Sequence, residues 1–215
     1  QARIKRLLEL QPPDHFLVID SDKELREILI AEIKEATGFR VAGAGPEVCS
    51  LPSTLAGAAP VALYGQEGER VRAALPPGAS CLLLHSRSVP ASMQGRELPP
   101  SDALVAVVSH WPEFLRWART MLLAAGIDGA ALSFRDARER GWQRGLRSSA
   151  FVITDTLTAR QIPPGCDVRV FRVIADSSIA ELQEIVRQAS RAGRKSKERE
   201  PILDREPALD PKEVE

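Results

Sequence analysis

The sequence is poor in the residues on which several common chemistries depend. Its 215 residues include three cysteines, three histidines, two methionines and one tyrosine. Cys49, Cys81 and Cys166 are odd in number and lack metal-ligand spacing, which excludes a disulfide framework and a cysteine zinc site. They read as small buried hydrophobes of a cytoplasmic protein. His15, His85 and His110 are scattered along the chain, so no metal is expected. Excess charge of one sign is lacking too: lysine plus arginine and aspartate plus glutamate each total 29, which removes any global electrostatic reason for this segment to bind nucleic acid. No apolar run approaches the ~20 residues of a membrane-spanning helix, so no membrane association is expected. The opening residues are too charged for a secretory signal. Gly43-Ala44-Gly45-Pro46 is too short for a phosphate-cradling loop, and there is no G-x-S-x-G elbow. No cofactor is therefore expected, and no complete motif supports an enzyme.

What the chain does contain is one unit twice. In the first copy the apolar run Phe16-Leu17-Val18-Ile19 breaks at Asp20-Ser21-Asp22 into Glu24-Leu25 and an amphipathic stretch that ends at Gly38. In the second, Val105-Ala106-Val107-Val108 breaks at Ser109-His110-Trp111 into Glu113-Phe114 and a stretch that ends at Gly126. Later landmarks repeat as well, with Leu75-Pro76-Pro77-Gly78 answered by Ile162-Pro163-Pro164-Gly165. The strands lack apolar and polar alternation, as strands buried on both faces of a parallel sheet do. The fold class expected is α/β, with two similar parallel-sheet lobes, Rossmann-like or flavodoxin-like, and a cleft between them.

The expected organisation is a short helix within residues 1–13, read as the linker from an upstream domain, then lobe one over 14–89. A proline-containing hinge over 90–101 and lobe two over 102–176 follow. Within lobe two the pattern predicts a helix over 139–146 and a strand over 168–174. A last helix over 177–192, with Ile179, Leu182, Ile185 and Val186 on one face, packs on the sheet or back on lobe one. The charged residues 193–215 read as a disordered tail.

In parallel α/β sheets ligands sit beyond the carboxyl ends of the strands, where helix amino termini present their N–H groups. The strand-end loops therefore supply the candidate ligand-binding residues: Asp20, Ser21 and Arg87 from lobe one, facing Ser109, His110, Trp111, Asp155 and Thr156 from lobe two. The equally simple structural readings are an Asx turn and helix cap at Asp20 and Asp22, and a staple packed on its own helix at Trp111. Adjacent Ser109 and His110 cannot easily form a nucleophile and base pair, so a triad with Asp155 is not expected. Arg135, Arg138, Arg140, Arg144 and Arg147 around Trp142 read as a solvated face.

Two resemblances follow from these residues. Phe16–Arg26, with its acidic pair, resembles the start of a phosphoacceptor receiver domain. Lobe one departs from that pattern at Tyr64-Gly65 and Arg87, and lobe two keeps only Asp155. Ala103–Ile127, with Val107-Val108-Ser109 and Pro112-Glu113-Phe114-Leu115, and Gly141–Asp155 together resemble the sensor domain of bacterial GntR-type winged-helix regulators. That similarity covers about residues 3–190 and implies a two-lobed fold like that of periplasmic binding proteins. It further implies a non-enzymatic sensor that takes a small-molecule effector in the cleft, reaches DNA only through a domain outside this chain, and is compatible with a homodimer. A degenerate receiver-like interaction module is the alternative, and a small-molecule enzyme using the cleft comes third.

Overall fold

The computed structural model describes residues 12–87 and 103–197, with side chains as far as Ala192. Lobe one contains β1 (His15–Ile19), α1 (Lys23–Thr37), β2 (Val41–Ala44), a 3-10 turn (Pro46–Ser50), the short α2 (Pro52–Leu55), β3 (Ala58–Leu63), α3 (Gln66–Ala74) and β4 (Leu82–Leu84). Lobe two contains β5 (Val105–Ser109), α4 (Pro112–Ala124), β6 (Leu132–Asp136), β7 (Phe151–Thr154) and β8 (Val168–Val170), and the chain then enters α5 (Asp176–Lys197). Each lobe holds a four-stranded parallel sheet, ordered β2-β1-β3-β4 and β6-β5-β7-β8. The repeat read from sequence is thus a repeat of topology, and the flavodoxin-like α/β class holds for both copies.

Helix α1 forms for local reasons that the sequence displays. Asp22 caps it by accepting the Leu25 N–H at 3.0 Å, and Gly38 ends it in a left-handed conformation, φ 66°, that returns its N–H to Lys34 O. Leu25, Ile28, Leu29 and Ile33 all point inward onto Phe16, Val18, Ala59 and Val61. On the other face of the sheet, Leu17, Ile19, Ala62 and Leu83 pack against Val48, Val71 and the buried Cys49 and Cys81. Gly68 in α3 permits a close approach there, because a Cβ at that place would stand 2.1 Å from the Leu63 carbonyl oxygen.

Three expectations about elements need correction. Residues 139–145 form turns and not an α-helix, with a 3-10 turn beginning at Leu146: Gly141 and Gly145 adopt φ 79° and 72°, and the Arg135 guanidinium binds the carbonyls of Trp142 and Arg144 within the string of turns. Trp142 lies half-buried against Leu146, so Arg135 works as a brace for the turns. The strand expected over 168–174 stops at Val170, because its apolar run is divided between the lobes. Phe171 stays with lobe two, whereas Val173 and Ile174 enter the core of lobe one. Finally, residues 193–197 continue helix α5 where a disordered tail was expected. The rest of that tail, residues 1–11 of the expected linker helix and the connection 88–102 lie outside the described residues.

Helix α5 returns to lobe one. Leu182 and Ile185 are fully buried against the α1 side of sheet one, and the Gln183 amide donates to Ala36 O at 2.9 Å. The chain reaches that position through a crossing in which Ile174 pairs with Ser86 in an antiparallel bridge. That bridge is flanked by Arg87 N–H to Val173 O at 2.7 Å and Ala175 N–H to His85 O at 2.8 Å. Lobe one is therefore completed by the last of the described helices. No described helix is long and apolar enough to cross a membrane.

Candidate functional site at the junction of the lobes

The carboxyl ends of lobe two's strands lie against helix α1 of lobe one. Arg138 reaches Glu24 at 3.9 Å, Thr156 reaches Glu32, and Arg160 and Arg172 reach Glu35, so the contact runs from the first turn of α1 to its last. Most of the candidate residues fall within this junction or beside it. Ser109 ends β5 and is fully buried. Its hydroxyl donates to Asp155 Oδ2 at 2.6 Å and accepts the Trp111 N–H at 3.0 Å. Asp155 follows β7 and is also fully buried. Its Oδ1 accepts the N–H groups of Leu157 and Thr158, both at 2.8 Å, and its Oδ2 also accepts the Thr158 hydroxyl at 2.6 Å. This carboxylate is the hub that folds the β7 end onto the β5 end.

The hub excludes two chemistries at these atoms. A receiver-type phosphoacceptor needs an accessible carboxylate oxygen, and both oxygens of Asp155 are engaged and out of solvent. A serine nucleophile needs its proton directed at a base, but Ser109 directs it to Asp155, while His110 Nδ1 lies 3.1 Å from the Thr158 hydroxyl. His110 has another property: its Nε2 is buried and has no hydrogen-bond partner, and the same is true of Thr154 Oγ1. His110 and Thr154 continue the face of sheet two that carries Val108 and Val152, at its carboxyl edge. Buried polar atoms without partners are uncommon, and each carries a desolvation cost of about 1–3 kcal/mol.

Trp111 joins the two copies. Its indole N–H donates to Asp22 Oδ2 at 2.8 Å, and its ring packs on both the lobe-one and lobe-two cores. Asp22 is the N-cap of α1 and Trp111 stands at the N-cap of α4, so counterpart positions 89 residues apart touch each other. Trp111 thus packs across the two lobes and not as a staple on its own helix alone. The lobe-one candidates are placed differently. Asp20 is 5% exposed and accepts the Asp22 N–H at 2.9 Å, forming the Asx turn that precedes the cap. Burial, opposed by that bond and reinforced by the neighbouring Asp22 and Glu67 charges, raises its pKa above the ordinary value. Ser21 is exposed. Arg87 is turned to Asp176 at the start of α5, and the structure shows no bond from it to the lobe-two group.

Two positions that hold this junction together escaped the sequence reading. Thr158 holds both Asp155 and His110. Glu32 sits in mid-helix, 1% exposed, with its Oε1 accepting Val173 N–H at 2.8 Å and the Thr156 hydroxyl at 3.3 Å, and its Oε2 accepting Ile174 N–H at 2.9 Å. A signal for it was present, since Glu32 interrupts the apolar face of Ile28, Leu29 and Ile33. Burial pushes its carboxyl up to about 7, against the opposing pull of those N–H groups and of Arg172.

No family model matches this chain, and no curated protein or solved structure is significantly similar to it. The site is therefore described by its own geometry. Among the described residues no group of three histidine, cysteine or carboxylate side chains is placed to hold a metal ion.

The Glu32 clamp has a pH signature. With its folded pKa raised to about 7, the folded chain holds a proton that the unfolded chain has released. Stability is then greatest below the ordinary glutamate range and declines as pH rises through neutrality. The change attributable to Glu32 is on the order of 3 kcal/mol at most between pH 4.5 and 7.5. Urea denaturation across that range is expected to show the decline in the wild-type chain and a flatter profile in Glu32→Gln. Parallel profiles for the two proteins would contradict the assignment.

Proposed function

We propose that the chain is a non-enzymatic sensor domain of a cytoplasmic regulator, in which the junction of the lobes responds to a small polar effector. One observation carries this reading: beside the junction, the strand ends of lobe two are polar, buried and incompletely satisfied, with His110 Nε2 and Thr154 Oγ1 unpartnered. A junction serving only to hold two lobes together would gain more from apolar packing, and the lobe cores beside it are apolar. A small molecule supplying a donor and an acceptor at His110 and Thr154 would favour one arrangement of the Trp111–Asp22 and Glu32 contacts over another. The resemblance of Ala103–Ile127 and Gly141–Asp155 to GntR-type sensor domains, read from the sequence alone, is in keeping with this mode of action. In such an architecture the change would reach DNA through a domain outside this chain, with a homodimer setting the spacing of two DNA-binding heads.

A thermal-shift screen of the intact chain against sugars, amino acids and carboxylates tests the proposal. A binder present at 100 times its Kd stabilises the folded chain by about 2.7 kcal/mol. The shift is expected to vanish in His110→Ala and to survive in Ser21→Ala, which alters an exposed candidate outside the junction. A ligand whose shift ignores His110→Ala would move the site elsewhere. One feature favours the receiver-like interaction module instead, namely the paired carboxylates Asp20 and Asp22 at the end of β1.

A further inference from the structure

We propose that the effector is a neutral molecule rich in hydroxyl groups, which donates an O–H to His110 Nε2 and accepts the hydroxyl of Thr154; this rests on the sensor reading and narrows it to one chemical class. The protonation of His110 follows from its partners. Asp155 Oδ2 stands 2.6 Å from the hydroxyl oxygens of both Ser109 and Thr158. Contacts that short to a carboxylate are charge-assisted bonds, so each hydroxyl directs its proton at Asp155. The one proton of the Thr158 hydroxyl is thereby committed. Its oxygen can only accept, from the His110 ring at 3.1 Å and from the His110 backbone N–H at 3.4 Å. His110 Nδ1 therefore carries a proton, and in the neutral imidazole Nε2 is left as a bare acceptor. That nitrogen is buried without a partner among the described residues, so what it lacks is a donor. Thr154 is fully buried, and its hydroxyl, likewise unpartnered, has a proton to give.

The charges around the site select against ionic groups. Asp155, 3.8 Å from His110 Nδ1, has both oxygens filled by N–H and O–H donors. Asp136, at the end of the neighbouring strand β6, is held through both oxygens by the side chain of Arg138 and also accepts its backbone N–H. An ammonium group arriving at Nε2 would find neither carboxylate free. A carboxylate or phosphate would find the Arg138 guanidinium already engaged by Asp136 and, at 3.9 Å, by Glu24. Burying an ion without a counter-ion costs far more than a hydrogen bond returns, whereas a hydroxyl enters uncharged and supplies a donor and an acceptor together. Strand register makes two contacts by one molecule feasible. Thr154 is the Cα partner of Val108, and His110 lies two residues further on, so the two groups belong to adjacent strand ends. The imidazole keeps 17% of its surface exposed, and the molecule enters past that ring.

Nitrogen NMR spectra of the intact, isotope-labelled chain read the tautomer before any ligand is added. His15→Gln combined with His85→Gln leaves His110 as the sole imidazole, which assigns its signals. Nδ1 is expected to resonate as a protonated nitrogen and Nε2 as an unprotonated one, and the reverse pattern would overturn the proposal. Glycerol, erythritol, ribose and inositol, set against sodium acetate, inorganic phosphate and ethylammonium, then test the class. A hydroxylated probe is expected to move the Nε2 resonance saturably, and the ions to leave it in place. An ion that moves Nε2 where the hydroxylated probes do not would overturn the class and leave the sensor reading standing. The expected tautomer with no response to either set would overturn the sensor reading, and the proposal with it. Thr154→Val removes an unpartnered buried hydroxyl, so it is expected to raise the melting temperature of the free protein while weakening the hydroxylated probe about tenfold. Unchanged affinity in that variant would overturn the contact with Thr154.

Discussion

Leu182→Ala is expected to destabilise the whole protein by about 2–5 kcal/mol, although Leu182 follows lobe two in sequence. The residue is fully buried among Phe16, Val18, Leu82 and Leu84 of lobe one, in a core where α1 and α5 are the helices contributed by the described residues. Truncation removes the transfer free energy of the side chain and leaves a cavity between α5 and the sheet, which two secondary-structure layers tied by the Ser86–Ile174 bridge cannot easily close. Urea unfolding, followed by far-ultraviolet circular dichroism and by tryptophan fluorescence, checks this. Trp111 lies at the junction, while Trp117 and Trp142 report lobe two, so fluorescence would show whether lobe two is lost together with lobe one. A loss below 1 kcal/mol would mean that α5 does not complete the lobe-one core.

Asp155→Ala is the second large effect expected, a loss of about 2–5 kcal/mol, with Asp155→Asn markedly milder at about 1–2 kcal/mol. Alanine strands the N–H groups of Leu157 and Thr158, which have no other acceptor in place, together with two hydroxyls. Asparagine retains an oxygen for the two backbone groups, and the hydroxyls of Ser109 and Thr158 can rotate to accept from its amide. The order of the two variants is therefore the test, read from chemical denaturation midpoints. Equal losses for alanine and asparagine would show that charge rather than the hydrogen-bond hub holds these loops together.

The parts of this fold that were legible in the sequence are those with local causes. Asp22, the inward face of Leu25, Ile28, Leu29 and Ile33, and Gly38 specify helix α1 from cap to stop, and Pro112 starts α4 in the same manner. The parallel sheets followed from unbroken apolar runs such as Val105–Val108. The failures lie where one pattern serves two masters. Val168–Ile174 carries an uninterrupted preference for extended structure, yet the backbone N–H groups of Val173 and Ile174 are taken by a glutamate of the other lobe. No periodicity in that stretch could reveal a partner 141 residues away. The same holds at the candidate site. Strand ends identified Ser109, His110, Trp111, Asp155 and Thr156 as neighbours because carboxyl ends of adjacent parallel strands meet. Which surface they would face depends on how the lobes dock, and α1 rather than the lobe-one loops provides most of it. Glu32 was missed because a charged residue on an apolar face reads as an irregularity until its donors are known.

The crossing at Ser86 and Ile174 also sets the order in which the molecule can be finished on the ribosome. Strands β1 to β4 are synthesised first, but the side chains that close their α1 face, from Val173 to Ile185, are among the last residues of the described chain to emerge. Lobe two can pack its α4 and sheet as soon as β8 is made, while the older lobe waits with α1 alone on the sheet face that α5 later shares. Nascent chains halted anywhere between β4 and α5 will carry an apolar sheet face that α1 alone covers, the kind of incomplete surface that chaperones bind and that aggregates form on.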